Sequence, residues 1–224
     1  MKPIGYIKTD FHSKFGIPRQ SGIINELKAT VIFYPEYSMP DAFRGLSAFS
    51  HIWLIWQFSD VPQNKWSPLV RPPRLGGNTY VGVFATRSPY RPNRIGLSSV
   101  KLDSIEYDTS HGTVLHISGA DLKDGTPIYD VKPYLPYTDS HPDASMGFAP
   151  NVSEHLLNVN FPDGILSNIP ERKQNALLSV LKLDPRPSYH DDPDRVYGLS
   201  FGGFNIKFKV DGKELTVIEA EITE

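Results

Sequence analysis

The run 130–134 places three side chains that could do acid–base chemistry at alternate positions of one strand-like segment. Alternate residues of an extended strand point to the same face, so Asp130, Lys132 and Tyr134 bring together a carboxylate, an ammonium and a phenol. Such a set can accept, donate or polarise a proton on a bound substrate. An ion pair between Asp130 and Lys132 that only stabilises the strand is the alternative interpretation. Both interpretations require Asp130 and Lys132 to share one face, and the acid–base interpretation also requires Tyr134 on that face.

Two proline-stiffened loops present arginine side chains. The loop 87–94 holds Arg87, Arg91 and Arg94 together with two prolines, and Pro18 directly precedes Arg19 in the other loop. A guanidinium group forms paired hydrogen bonds with a carboxylate or phosphate, and a stiff loop loses less entropy when it binds. The loops therefore predict anion recognition. A basic turn between strands is the alternative.

The charges are unevenly distributed along the chain. The net charge is −2, but the stretch 61–101 holds seven basic and no acidic residues, whereas 102–224 holds 20 acidic against 10 basic residues. A local positive patch of this kind is typical of a phosphate-binding surface, and a solvated basic face is the alternative.

Several kinds of site are excluded or disfavoured. The chain has no cysteine, and its seven histidines are not spaced as metal ligands, so we expect no metal site. Sequence signatures of Rossmann, P-loop and serine hydrolase sites are missing. No apolar run reaches the roughly 18 residues that span a bilayer, and the N-terminus does not resemble a secretion signal. We expect a cytoplasmic protein without a membrane partner.

The elements that would position these side chains are short strands. Strand-like runs separated by Gly, Pro, Asp and Asn lie at 4–7, 30–34, 51–58, 80–86, 95–105, 113–117 and 127–131. Without alternating helices, this pattern predicts a barrel or sandwich. One helix is expected near 40–49. The run 51–58 is apolar at both alternating sets of positions, which predicts a strand buried on both faces, with Trp53 and Trp56 in the core.

A second lobe is predicted after residue 138. Residues 136–153 are typical of a linker, and Asn168 with Pro170 predicts the start of a helix that ends before Asp184. Alternating apolar residues on either side of Asp211-Gly212 predict a type I′ hairpin. The predicted fold class is mainly β: an N-terminal domain 1–138 and a small α+β lobe 139–224.

The motifs taken together resemble the TsaA-like family. They span most of residues 4–138 in a fixed order, and two further runs lie in the second lobe. The matching runs are Pro18-Arg19-Gln20, Phe49-Ser50-His51-Ile52-Trp53, Arg71-Pro72-Pro73-Arg74-Leu75-Gly76-Gly77, Val81-Gly82-Val83-Phe84-Ala85-Thr86-Arg87-Ser88, Arg91-Pro92-Asn93, Ile95-Gly96-Leu97, Asp124-Gly125-Thr126-Pro127, 130–134, Asp184-Pro185-Arg186-Pro187-Ser188-Tyr189 and Phe204-Asn205-Ile206.

The resemblance implies a β-barrel methyltransferase that uses S-adenosylmethionine, forms a homodimer and acts on threonylcarbamoyl-adenosine in the tRNA anticodon loop. Its cofactor residues carry over to Pro18, Arg19, Gln20, Ser59, Asp60, Arg87, Leu97, Asp124, Gly125, Thr126 and Pro127. Asp130, Lys132 and Tyr134 are then the candidates for proton chemistry at the reacting nitrogen. The basic stretch 61–101, with Arg71 and Arg74, is the candidate surface for tRNA.

Two other functions fit the same residues. In a non-catalytic RNA-binding barrel, the arginines would bind phosphates and aromatic side chains would stack on bases. A methyltransferase for a small molecule would keep the cofactor site but show no salt-dependent affinity for tRNA.

Overall fold

The computed structural model describes residues 1–62, 64–72, 75, 78–148, 156–162, 164–187 and 192–223. Within these ranges the chain forms twelve strands and two α-helices, together with short 3₁₀ turns. The strands are β1 Gly5–Lys8, β2 Lys28–Phe33, β3 His51–Gln57, β4 Leu69–Val70, β5 Val81–Gly82, β6 Ile95–Thr109, β7 Gly112–Ser118, β8 Pro127–Pro133, β9 Asn158–Asn160, β10 Tyr197–Phe201, β11 Phe204–Asp211 and β12 Glu214–Ile222, and the helices are α1 Pro136–Asp139 and α2 Glu171–Lys182.

Six strands close into a barrel, which agrees with the predicted β class. The order around the barrel is β1, β2, β7, β6, β3, β8, and each neighbouring pair is antiparallel. Alternate residues of each strand point inward, and burial of these apolar side chains drives closure. Fully buried examples are Ile7, Ile52, Leu54, Leu115 and Ile128.

The strand β3 lies between β6 and β8 and carries one side of the site. Its burial alternates, with Ile52, Leu54 and Trp56 buried inside the barrel, whereas Trp53 and Ile55 are only partly covered outside it. The expectation of burial on both faces is therefore wrong. Closure of the barrel leaves the outer face to be covered by loops, and these cover it incompletely.

The second lobe packs one helix against a four-stranded sheet of order β10, β11, β12, β9. Leu177 and Leu181 of α2 meet the buried face of β11, and the long loop 9–27 between β1 and β2 adds Phe11, Ile24 and Leu27 to the same core. The first lobe thus contributes three side chains to the core of the second. The boundary at 138/139 stays a prediction.

Several local predictions fail for identifiable reasons. The helix expected at 40–49 is two 3₁₀ turns, Pro40–Phe43 and Leu46–Ala48, because Gly45 at φ +86° interrupts it. The strand expected at 80–86 is only two residues long and turns into the 3₁₀ turn Val83–Ala85. The first four residues of the predicted linker form α1, and 149–153 lie outside the described residues.

Two predictions in the second lobe also need correction. Pro170 occupies the N-cap position of helix α2 without a side-chain hydrogen bond, and Asn168 ends the 3₁₀ turn that precedes it. The hairpin joins Asp211 to Glu214 through Gly212 and Lys213, and Gly212 is the only one of the two at positive φ. A type I′ turn needs positive φ at both central residues, so this hairpin uses another turn.

Among the described residues, no helix combines the length and the apolar character that crossing a membrane requires.

Candidate functional site

A cleft of about 580 Å³ opens at the rim of the barrel where β3 ends and β6 begins. Three segments form its walls: the loop 14–21, the segment 58–61, and Thr86 with the first half of the arginine loop 87–94. Segment 121–126 and the start of β6 complete the lining. Its size and its mixture of apolar and charged side chains are typical of a small-molecule site.

Most of the side chains assigned to a cofactor by family resemblance lie around this one cleft. Three come from the first loop, two follow β3, and one each comes from the arginine loop, β6 and segment 121–126. They are Pro18, Arg19, Gln20, Ser59, Asp60, Arg87, Leu97 and Thr126. The other three, Asp124, Gly125 and Pro127, are not part of the lining. Residues up to 108 positions apart in the chain therefore share one concave surface.

The three arginines of the arginine loop have different contacts. Arg91 donates to the carbonyls of Val83 and Thr86, at 3.1 and 2.7 Å, and Arg94 donates to the carbonyl of Val61. Both guanidinium groups therefore brace backbone. Arg87 and Arg91 both line the cleft, but Arg87 contacts a side chain instead of backbone, since it donates to Oε1 of Gln20. Of the three, Arg87 is the one placed to meet an anionic group of a ligand.

The turn 124–127, just before β8, is hydrogen-bonded to the end of β1. Oδ1 of Asp124 accepts the backbone N–H of Thr9 at 2.9 Å, and the N–H of Gly125 donates to the carbonyl of Ile7 at 2.8 Å. Gly125 has φ +75°, a conformation that favours glycine. Thr126 is buried and donates to the carbonyl of Lys123. The carboxylate of Asp124 is thus committed to a backbone contact.

Asp130 and Lys132 lie on the outer face of β8, and Tyr134 directly follows the strand on the same side, next to Trp53. Oδ2 of Asp130 lies 3.1 Å from Nζ of Lys132, and both side chains are about half exposed. The ring of Tyr134 packs against that of Trp53, with centroids 5.4 Å apart. None of the three lines the cleft, but Trp53, which pairs with Lys132 across the strands, does. The predicted catalytic group is therefore adjacent to the cleft, with Trp53 between them.

Trp53 is fixed by the helix that follows β8. Its indole N–H donates to Oδ2 of Asp139 at 2.8 Å, and the same oxygen accepts the N–H of Leu135. The Leu135 amide and then the indole hold the pKa of Asp139 below its ordinary value, so the acceptor stays charged at neutral pH. Core placement was predicted for both tryptophans; Trp53 instead forms a wall of the cleft.

Sequence reasoning missed one hydrogen-bonded chain at the cleft. Nε1 of Trp56 donates to Oγ of Ser98 at 2.9 Å, and Ser98 donates to Oδ1 of Asp121 at 2.6 Å. Burial raises the pKa of Asp121, and the Ser98 hydrogen bond and the positive charge of Arg87 offset only part of that effect. The available signal was an acidic residue set in the apolar run Ala120-Asp121-Leu122.

The residues between β1 and Thr223 that the structure describes include no cluster of three His, Asp or Glu side chains suited to a metal ion.

Gly96 is required by the close approach of an indole. A Cβ at this position would overlap the ring of Trp56, whereas a Cβ at Gly82 would meet nothing within 4 Å. We expect Gly96→Ala to lower the free energy of unfolding by about 1–3 kcal/mol, the usual cost of overpacking, and to displace Trp56 from the cleft. Denaturant unfolding measures the loss, with Gly82→Ala as the matched control. Equal stability of the two variants would contradict the packing argument.

Comparison with known proteins shows the family of both lobes. The model of the tRNA-methyltransferase O N-terminal domain matches residues 6–140, and that of the TrmO C-terminal domain matches residues 154–222. This chain belongs to the TrmO family. TrmO relatives include an Escherichia coli protein named tRNA (adenine(37)-N6)-methyltransferase, 38% identical over 92% of this chain and 91% of the relative.

Other members of the TrmO family agree in sequence and in fold. A protein of Eikenella corrodens with the same name is 47% identical over 77% of this chain and 97% of its own length. The crystal structure of TrmO from Pseudomonas aeruginosa superposes with a TM-score of 0.79, covering 97% of this chain and 96% of that one at 31% identity. The similarity therefore extends over both lobes.

Proposed function

We propose that this chain transfers a methyl group from S-adenosylmethionine to N6 of adenosine 37 in tRNA, and that this adenosine already carries a threonylcarbamoyl group. The observation that carries the proposal is the cleft, which gathers eight of the residues that family resemblance assigns to the cofactor. The names of the relatives supply the reaction and the nucleotide.

The lining suits the chemistry of this cofactor. Its carboxylate needs a cation, for which Arg87 is available, and its adenine needs apolar surface, which Leu97 and Trp56 offer. When bound, S-adenosylmethionine supplies a methyl group activated by the positive charge on sulfur. The protein's own task is then to hold the two reactants in line, which accounts for much of the rate of such a transfer.

The polar face of β8 would act on the acceptor nitrogen. A carbamoyl group withdraws electron density from N6, so a nearby group that accepts or polarises its proton would help. Lys132 lies directly opposite Trp53, a wall of the cleft, across the strands, and Asp130, opposite Ile55, is paired with Lys132. We propose that these side chains accept or polarise the proton on N6. The ring of Tyr134 packs against that of Trp53.

The acid-free stretch 61–101, called the arm from here on, is the proposed tRNA surface. Exposed aromatic side chains lie on it beside basic ones; Tyr80 stacks under the guanidinium of Arg71 at 4.4 Å, and Phe84 is 74% exposed. Arginines and exposed rings together are the means by which proteins bind single-stranded loops. Arg74, also predicted to take part, lies outside the described residues.

Neutralising the arm should weaken the salt dependence of tRNA binding. For Lys65→Gln combined with Arg71→Gln, both exposed, we expect the slope of log K against log salt to shrink by roughly one unit for each phosphate that is no longer neutralised. Filter binding over a salt series measures the slope. Lys209→Gln with Lys213→Gln, in the second-lobe hairpin, is the control. A slope changed only in that control would place the tRNA on the second lobe.

The proposal includes a homodimer in the cytoplasm, where tRNA is modified. Ile95, an exposed apolar side chain at the cleft, supports an interface close to the site. Light scattering gives the mass in solution, and a monomer at micromolar concentration would remove the dimer from the proposal.

Two measurements test the activity itself. Saturable binding of S-adenosylmethionine without RNA is expected, and its absence would favour a non-catalytic RNA-binding barrel. Methylation of tRNA from cells that lack this gene, but not of tRNA from cells that have it, is the second expected result. Cofactor binding without salt-dependent affinity for tRNA would instead indicate a small-molecule methyltransferase.

A further inference from the structure

Asp121 is an acidic side chain of the cleft that the family resemblance does not assign. It lies just after β7, lines the cleft and is held by the hydroxyl of Ser98, 2.6 Å from Oδ1. Ser98 is itself buried and fixed by the indole of Trp56. The orientation of the Asp121 carboxylate is therefore fixed by Ser98 and, through it, by Trp56.

The other acidic group that lines the cleft is already paired with cations. Asp60 lies 3.0 Å from Lys123 and 3.8 Å from Lys14. Within the described part of the chain, Asp121 has no Lys, Arg or His nitrogen within 4.0 Å. A partly buried carboxylate without a paired cation is costly, and burial raises its pKa. Such a group at a cleft wall favours a ligand that brings its own positive charge.

Arg87 supplies the opposite charge in the same cleft. Its guanidinium is close enough to Asp121 to act against the burial effect on the carboxyl pKa, yet the two do not form a salt bridge. An arginine and a carboxylate that are near each other but unpaired can receive a zwitterion between them. An α-amino acid is such a ligand, since it carries an ammonium and a carboxylate on one carbon atom.

We propose that Asp121 binds the α-ammonium group of the cofactor's methionine end while Arg87 binds its α-carboxylate. The inference rests on the proposed use of S-adenosylmethionine in this cleft. Ser98 donates to Oδ1 of Asp121, and the backbone N–H groups of Asp121 and Ser21 also donate to the carboxylate. A carboxylate has about four lone-pair sites, so one that these donors leave accepts a hydrogen bond from the ammonium group. Asp121 thereby makes the site specific for nucleosides that carry an amino acid.

Calorimetry with three nucleosides tests the assignment on Asp121→Asn. S-adenosylmethionine and S-adenosylhomocysteine both carry the amino acid end, and 5′-methylthioadenosine lacks it. We expect affinity for the first two to fall by about tenfold, the effect of losing a hydrogen bond to a charged group, and affinity for the third to stay at the wild-type value. Asparagine keeps the shape of the side chain and can still accept from Ser98.

The control is Asp103→Asn, because Asp103 also accepts from a serine, Ser118, but lies outside the cleft. It should change none of the three affinities. Equal weakening of all three nucleosides by Asp121→Asn would mean that Asp121 only shapes the cleft. Weakening of S-adenosylmethionine alone would place the carboxylate at the sulfonium. No weakening would also overturn the inference.

A measurement on the wild-type protein covers the case in which the variant does not fold. An S-adenosylhomocysteine analogue without the amino group should bind about tenfold more weakly than S-adenosylhomocysteine itself. Equal affinities would overturn the role of Asp121. If the wild-type protein binds neither S-adenosylmethionine nor S-adenosylhomocysteine, the proposed function fails instead.

Discussion

Replacing Asp130 by asparagine is expected to slow single-turnover methylation by about 10² to 10⁴, the usual contribution of an acid–base group. Affinities for cofactor and tRNA should stay close to wild type, because the charge would act on N6 only as it approaches the methyl group. Rapid-quench assays give the rate, and equilibrium titrations give the affinities.

The structure sharpens the contrast with a purely structural role. The Asp130–Lys132 pair is about half exposed on both sides, and exposed pairs contribute only about 0–1 kcal/mol to stability. Oδ1 of Asp130 also accepts the N–H of Val131, a contact that asparagine can keep. The melting temperature should therefore hardly change. Asp41→Asn, which breaks the exposed pair with Arg44 away from the cleft, is the matched control. A destabilised but fully active Asp130→Asn protein would remove the catalytic assignment.

Arg87→Ala should weaken binding of S-adenosylmethionine by at least tenfold, and up to about 100-fold, because it removes a charged hydrogen-bonding group worth about 1.5–3 kcal/mol. The fold should survive, since Arg91 and Arg94, not Arg87, donate to backbone carbonyls, those of Thr86 and Val61. Calorimetry measures the affinity, and circular dichroism checks the fold.

Arg87→Lys provides the graded control for this prediction. Lysine keeps the positive charge but loses the planar fork that binds a carboxylate with two hydrogen bonds. We expect an affinity between those of wild type and Arg87→Ala. An alanine variant that folds and binds the cofactor normally would exclude Arg87 from the site.

The strands were predictable because their signal is local. Alternating apolar residues between turn formers mark β1, β2, β7 and β8 to within a few residues. The partial exposure of β3 was not predictable, because it depends on which loops cover the outside of the barrel. The type of turn between β11 and β12 was also not predicted. Its central residues, Gly212 and Lys213, are set by the register of pairing along the whole of β11 and β12.

Residues of the candidate site also differ in how far the sequence could predict them. Proline-fixed loops and the alternation in β8 indicated Arg87 and the Asp130 face from sequence alone. The different contacts of Arg87, Arg91 and Arg94 could not be distinguished, because each depends on a carbonyl or side chain supplied by another part of the fold. Asp121 was missed for the same reason, since its neighbours Ser98 and Trp56 come from strands β6 and β3.

The loop 9–27 connects the proposed cofactor site to the core of the second lobe. Phe11, Ile24 and Leu27 anchor that loop in the second core, and Gly16 lies directly against Leu199, while Pro18 and Gln20 face the cleft. Natural selection on cofactor binding must then extend to core positions that no ligand touches. Compensating substitutions between the two lobes are the expected trace of this connection, and exchanging the second lobe between distant relatives would separate side chains that evolved together.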